Sequence, residues 1–153
     1  MLLALNLTGN FHLYAGDITN ALEYFDTAEL LYHEKVDSES EYMGSPALMS
    51  SFLMIKLSKF QAQYFLGNIE ALLSEARTIN LLISSHSGPL NSDLFIHIQN
   101  ALEIFWTQDS RLKEYEIFKR MEENILIALV RDPSIDFDGS FLESLAFFFM
   151  NRS

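Results

Sequence analysis

The stretch Ala15-Gly16-Asp17-Ile18-Thr19-Asn20-Ala21-Leu22-Glu23-Tyr24-Phe25-Asp26-Thr27-Ala28 constrains this chain more than any other. Gly16 has the conformational freedom to end a helix at positive φ. Asp17 has a carboxylate to accept from the free N–H groups that open the next helix, and Ala21 and Ala28 present small side chains where two helices would meet. The pattern predicts a helical hairpin broken at Gly16-Asp17. Such a unit cannot bury its apolar face alone, so units of this kind stack in series, and the stacks commonly serve as scaffolds for other proteins.

The hairpin pattern recurs along the chain. Residues 2–15 and 18–35 form the first pair, the second with Ile18, Ala21, Leu22, Phe25, Ala28 and Leu31 or Tyr32 at helical spacing. The acidic run Asp37-Ser38-Glu39-Ser40-Glu41 reads as a linker, after which Ser45 suits an N-cap and Pro46 a first helical position. Residues 47–66 and 69–83 form the second pair around Gly67-Asn68, the latter with a stripe of Leu72, Leu73, Ala76, Ile79 and Leu82. Ser84 to Ser92 is a loop by composition. A third pair is expected over 93–108 and 111–130, turned at Asp109-Ser110 and broken beyond Arg131 by Pro133. Ser140-Phe141-Leu142-Glu143 is a capping-box pattern that opens a last helix over 141–151. The expected fold is all-α, with about seven helices: three antiparallel hairpins (2–35, 47–83, 93–130) and a terminal helix (140–151).

Composition agrees with this reading. A chain of 153 residues has the size of one domain, possibly a piece of a longer protein, and its 49% hydrophobic content with only six Gly and three Pro favours a packed helical core. The absence of cysteine excludes disulfides, thiolate metal sites and cysteine nucleophiles, and favours an intracellular location, cytoplasmic or nuclear. A net charge of −11 repels phosphate backbones and anionic headgroups, so a protein or peptide partner is expected rather than nucleic acid or membrane. The uncharged run Met1 to Gly16 lacks the basic start of a secretory signal, and its polar residues suit a packed helix. No apolar stretch approaches the roughly 20 residues of a membrane span. Asn6-Leu7-Thr8 is a formal glycosylation sequon, but within a helix it reads as accidental.

The first hairpin resembles a tetratricopeptide repeat. Leu5 stands in the first large apolar slot, Thr8-Gly9 in the Leu-Gly slot, His12 in the Tyr slot, and Ala21, Phe25 and Ala28 in the small, aromatic and small slots of the second helix. Thr8, His12 and His33 depart from the family pattern, whereas the Gly and Ala positions that permit close packing are kept. Tyr64 to Leu72 echoes Leu13 to Leu22 with one residue missing, and the separation of Gly16 from Gly67 exceeds the family period of about 34. The resemblance implies a degenerate right-handed helical stack without catalytic activity, in which the first helix of each hairpin lines a concave partner-binding surface. A shorter resemblance, through the Leu-rich helix, Gly-polar turn and helix followed by Phe105-Trp106 and Asp109, is to the regulatory middle region of fungal zinc-cluster transcription factors. It implies a ligand-sensing domain.

Residues offering catalysis are scarce. His12, His33, His86 and His97 show no i, i+4 pairing and no Glu at metal-ligand spacing, so no metal or cofactor is expected. Asp132 to Gly139 has the look of a calcium loop, but an EF-hand register puts Ser134 first and Leu145 twelfth, where carboxylates are needed. The expected function is therefore recognition. Asn6 and Asn10 on the first helix, Lys56, Lys59 and Gln63 on the third, and His97 and Asn100 on the fifth are the candidate partner-binding residues, all read as exposed on the concave side. The last helix has almost no polar face, which makes Phe141, Phe148 and Phe149 candidates for contact with a second copy or another subunit.

Overall fold

A computed structural model describes residues 1–38, 46–86, 90 and 92–132. These residues are all-helical, with seven helices and no strand among them: α1 (Leu2–Tyr14), α2 (Ile18–Ser38), α3 (Pro46–Leu66), α4 (Ile69–Ser85), α5 (Ser92–Trp106), α6 (Ser110–Lys113) and α7 (Glu116–Arg131). The helix expected over 141–151, and with it Phe141, Phe148 and Phe149, lies outside the described residues.

The first two turns are built alike. Gly16 has φ +86°; its N–H donates to Leu13 O, and the N–H of Asp17 reaches back to His12 O at 2.9 Å. Gly67 has φ +74°; its N–H donates to Tyr64 O, and that of Asn68 to Gln63 O at 3.1 Å. Both are the paired closing bonds of a glycine-ended helix, available here because glycine has no Cβ to clash at positive φ. The polar residue then caps the next helix: Asp17 Oδ1 accepts from Asn20 N, and Asn68 Oδ1 from Ala71 N. The third turn reaches the same result without glycine. Gln108 takes φ 57°, and Asp109 Oδ1 accepts from Arg111 N at 3.0 Å.

Close packing follows from the small residues. Ala21, Phe25 and Ala28 are all fully buried, and the Phe25 ring lies where a side chain on Gly9 would stand, so α1 and α2 meet at Gly9. Leu13, Ala21, Phe25 and Ala62 make one small core at this junction. A larger one runs through α3, α4, α5 and α7, around Phe60, Leu72, Ile79, Leu94, Ile98, Leu102, Phe118, Met121 and Ile125. Helix α3 is the hub. It packs on α1, α2, α4 and α5, and α4 packs in turn on α7. Phe52 to Leu57 is consequently an unbroken buried run, charged Lys56 included, as expected of a helix covered on all sides.

One expected element is different. The helix predicted over 111–130 is broken at Glu114-Tyr115 into the single turn α6 and the longer α7, with Tyr115 in an extended conformation (φ −112°, ψ 119°). In a continuous helix Leu112 and Phe118, six residues apart, would point about 120° away from each other at 100° per residue. The break lets both enter the same core, at 4% and 1% exposure, with the Tyr115 ring set edge-on against Phe118 at 5.7 Å.

Candidate functional site

The residues expected to line an open groove are engaged within the fold. Lys56 and Lys59, one turn apart on α3, point between α2 and α4. Lys56 Nζ lies 2.5 Å from Glu29 and 3.2 Å from Glu75, and Lys59 Nζ lies 2.6 Å from Glu29, 2.9 Å from Asp26 and 3.6 Å from Glu75. Burial by itself raises a carboxyl pKa, but hydrogen bonds from Lys56 and Lys59 outweigh it, and Glu29 sits below its ordinary 4.5. Burial likewise works against charge on Lys59, yet the bonds to Glu29 and Asp26 and the Glu75 carboxylate hold it protonated beyond the usual lysine range. Two cations shared among three carboxylates join three helices. That makes the lysines structural, and it corrects the expectation that they stand free for an acidic partner.

Asn6 and Asn10 are also buried, at 3% and 6% exposure. Asn10 Nδ2 donates to Asn6 O at 2.8 Å and to Ser58 Oγ of α3 at 3.2 Å. Asn6 Nδ2 lies 3.3 Å from His97 Nε2 of α5. An amide nitrogen only donates, so this contact suits a neutral ring, in agreement with the His97 pKa, which burial lowers against the opposing pull of Asp93. Asn100 Nδ2 donates to Tyr14 Oη at 2.9 Å. Helices α1 and α5 therefore touch across α3 at two rungs, Asn6–His97 and Tyr14–Asn100, and Asn6, His97 and Asn100 do not stand open for a partner as expected. The Oδ1 atoms of Asn6 and Asn10, Nδ1 of His97 and Oε1 of half-buried Gln63 are buried without a hydrogen-bond partner in the protein. Of the seven candidate residues, the structure brings Asn6, His97 and Asn100 to the α1–α5 contact, ties Asn10 to Asn6 and to Ser58 of α3, and points Lys56 and Lys59 between α2 and α4, with Gln63 one turn beyond Lys59 on the same face of α3.

A surface that the sequence reading passed over lies on α1. Leu3, Leu7, Phe11 and Tyr14, at spacings of four, four and three, are 55%, 71%, 73% and 66% exposed. Leu7 and Phe11 each stand two residues from Gly9, the point of contact with α2, and so project from the opposite face of the helix. The stripe is continuous and borders the rungs to α5. On α5 itself Asp93, Ile96, Asn100 and Glu103 share one face, with Asp93, Ile96 and Glu103 exposed. The available signal was that α1 has apolar residues around most of its circumference and no Asp, Glu, Lys or Arg, more apolar surface than one neighbouring hairpin can cover.

Elsewhere, a depression of about 220 Å³ is lined by Ile69, Ser110, Arg111, Glu114 and Tyr115. Its guanidinium is already committed: Arg111 Nη2 lies 2.6 Å from Asp109, which also accepts from Tyr64 Oη at 3.0 Å. The Arg111 and Tyr64 bonds hold the Asp109 carboxyl well below the ordinary carboxylate range. Among the described residues no group of three or more His, Asp or Glu is placed to hold a metal ion, and no helix is long and apolar enough to cross a membrane. No protein-family model matches this chain, and no curated protein or solved structure matches it.

Proposed function

We propose that this chain is a non-catalytic, tetratricopeptide-like helical scaffold that binds a partner protein, and that the contact surface is the apolar stripe of α1 rather than the buried Asn and Lys residues. The repeat-like reading is supported by three hairpins turned through a left-handed residue followed by Asp or Asn, and by first helices α1, α3 and α5 that lie side by side. The partner-binding reading rests on one observation: four large apolar side chains, each more than half exposed, form a single line on a helix without charge. Contiguous exposed apolar surface on a folded domain marks an interaction site more often than scattered single residues do.

The test is site-specific photocrosslinking in cells. A photoreactive residue at Phe11 is expected to give discrete protein adducts, whereas one at Leu81, equally exposed at 71% on α4, gives none in common. Leu7→Asp with Phe11→Asp should abolish the Phe11-type partners while leaving the melting temperature near that of the parent, since both side chains point into solvent. Identical adducts from the two positions, or full partner retention by the double variant, would refute the assignment.

A further inference from the structure

The chemistry of the partner follows from what borders the stripe, and the inference rests on the reading of α1 as the contact surface. Two faces, one on α1 and one on α5, are bridged by two hydrogen-bonding contacts. One is uncharged and mainly apolar, Leu3, Leu7, Phe11 and Tyr14 on α1; the other, on α5, presents Asp93, Ile96, Asn100 and Glu103 at i, i+3, i+7 and i+10. The Asn6–His97 and Tyr14–Asn100 contacts join the two helices beside these faces. Asp93 stands one turn before His97 on α5, beside the Asn6 rung, and Glu103 lies one turn beyond the Tyr14 rung. The exposed charge on this α5 face is therefore wholly negative and lies along one flank of the apolar stripe.

We propose that this composite face docks a basic amphipathic helix of a partner protein. The partner's apolar ridge would cover Leu3, Leu7, Phe11 and Tyr14, and Lys or Arg along one flank of that ridge would meet Asp93 and Glu103. A helix is the matching shape because α1 offers a straight line of about 20 Å, the length of 13 residues at 1.5 Å each, with side chains at helical spacing that interdigitate with another helix. A basic partner is favoured over a second copy of the chain, because each copy carries a net charge of −11 and the same acidic flank would face itself. The same charge disfavours an anionic lipid surface.

The test uses the full chain and two synthetic helical peptides of about 18 residues, long enough to span α1. Both have the same leucine ridge; one has lysine along one flank and the other glutamate. Titration calorimetry at low salt is expected to show binding of the lysine peptide at least about tenfold tighter than the glutamate peptide, with the difference shrinking as salt rises. Asp93→Lys with Glu103→Lys should reverse the preference, and Leu7→Asp with Phe11→Asp should remove binding of both, each variant first shown by circular dichroism to melt like the parent. Equal affinity for the two peptides, or an unreversed preference in the charge-swapped variant, overturns the basic-partner assignment, while crosslinking from Phe11 still decides the underlying contact surface. Three other results also overturn it by naming another occupant. Self-association in light scattering that is lost in Phe11→Asp assigns the face to a second copy. Peptide binding that emerges only after removal of residues 140–153 assigns it to the chain's own Phe-rich segment. Co-sedimentation with phosphatidylcholine–phosphatidylserine vesicles, lost in Phe11→Asp, assigns it to a membrane.

Discussion

Gly9→Ala sets helix propensity against packing, and the two predict opposite signs. In an isolated helix the change stabilises by about 1 kcal/mol, because alanine loses less conformational freedom on folding. Here the new Cβ would stand 2.8 Å from Cδ1 and 3.1 Å from Cζ of Phe25, with Cε1 closer still. Ordinary carbon contacts begin near 3.5 Å, so the ring must retreat by roughly 0.7 Å or more. It has nowhere to go: Phe25 is fully buried and packed with Leu13, Ala21 and Ala62. Overpacking of this kind costs about 1–3 kcal/mol, which exceeds the propensity gain and leaves a net loss of about 1 kcal/mol. For a domain of this size the melting temperature should fall by about 3 °C. Chemical denaturation of the parent, Gly9→Ala, Phe25→Leu and the double variant closes a cycle. Because Phe25→Leu removes the obstructing ring edge, the double variant should recover about 1 kcal/mol relative to the sum of the single changes. A Gly9→Ala protein more stable than the parent, or a cycle with no coupling, would refute the proposed meeting of α1 and α2 at Gly9.

Glu29 and His97, both titratable groups held inside the fold, give two more outcomes. Glu29→Gln leaves Lys56 and Lys59 short of their shared carboxylate and should cost about 2 kcal/mol at neutral pH by urea denaturation; it should also flatten the acid limb of stability. The sign follows from the lowered pKa of Glu29: its contribution is complete above its ordinary 4.5 and is lost as pH falls through the lower folded value, so an unchanged acid limb would refute the network. His97, whose folded pKa is lowered from 6.5, stabilises the neutral fold above that pH and opposes it as pH drops below, when the unfolded chain takes up the proton more readily. His97→Gln should therefore remove part of the stability lost between about pH 6.5 and 5, and a parent protein with no loss across that interval would contradict the buried neutral ring.

The sequence by itself determined the first five helices. Gly16-Asp17 and Gly67-Asn68 specify their turns locally, through a residue able to take positive φ and a side chain able to cap, and Ala21, Phe25 and Ala28 mark the buried face by spacing alone. The break at Glu114-Tyr115 was hidden, because no local residue forbids a helix there; what decides it is that Leu112 and Phe118 must reach one core from positions six residues apart. The candidate site was less legible for the same reason. Helical periodicity shows which residues share a face, but which neighbour covers that face depends on contacts between residues far apart in the chain. Asn6 meets His97 across 91 positions, and Lys59 meets Glu29 across 30, so polar residues with the spacing of an exposed face are buried in pairs. Leu3, Leu7 and Phe11, apolar residues with the spacing of a buried face, remain open to solvent because α2 and α3 cover only the other sides of α1.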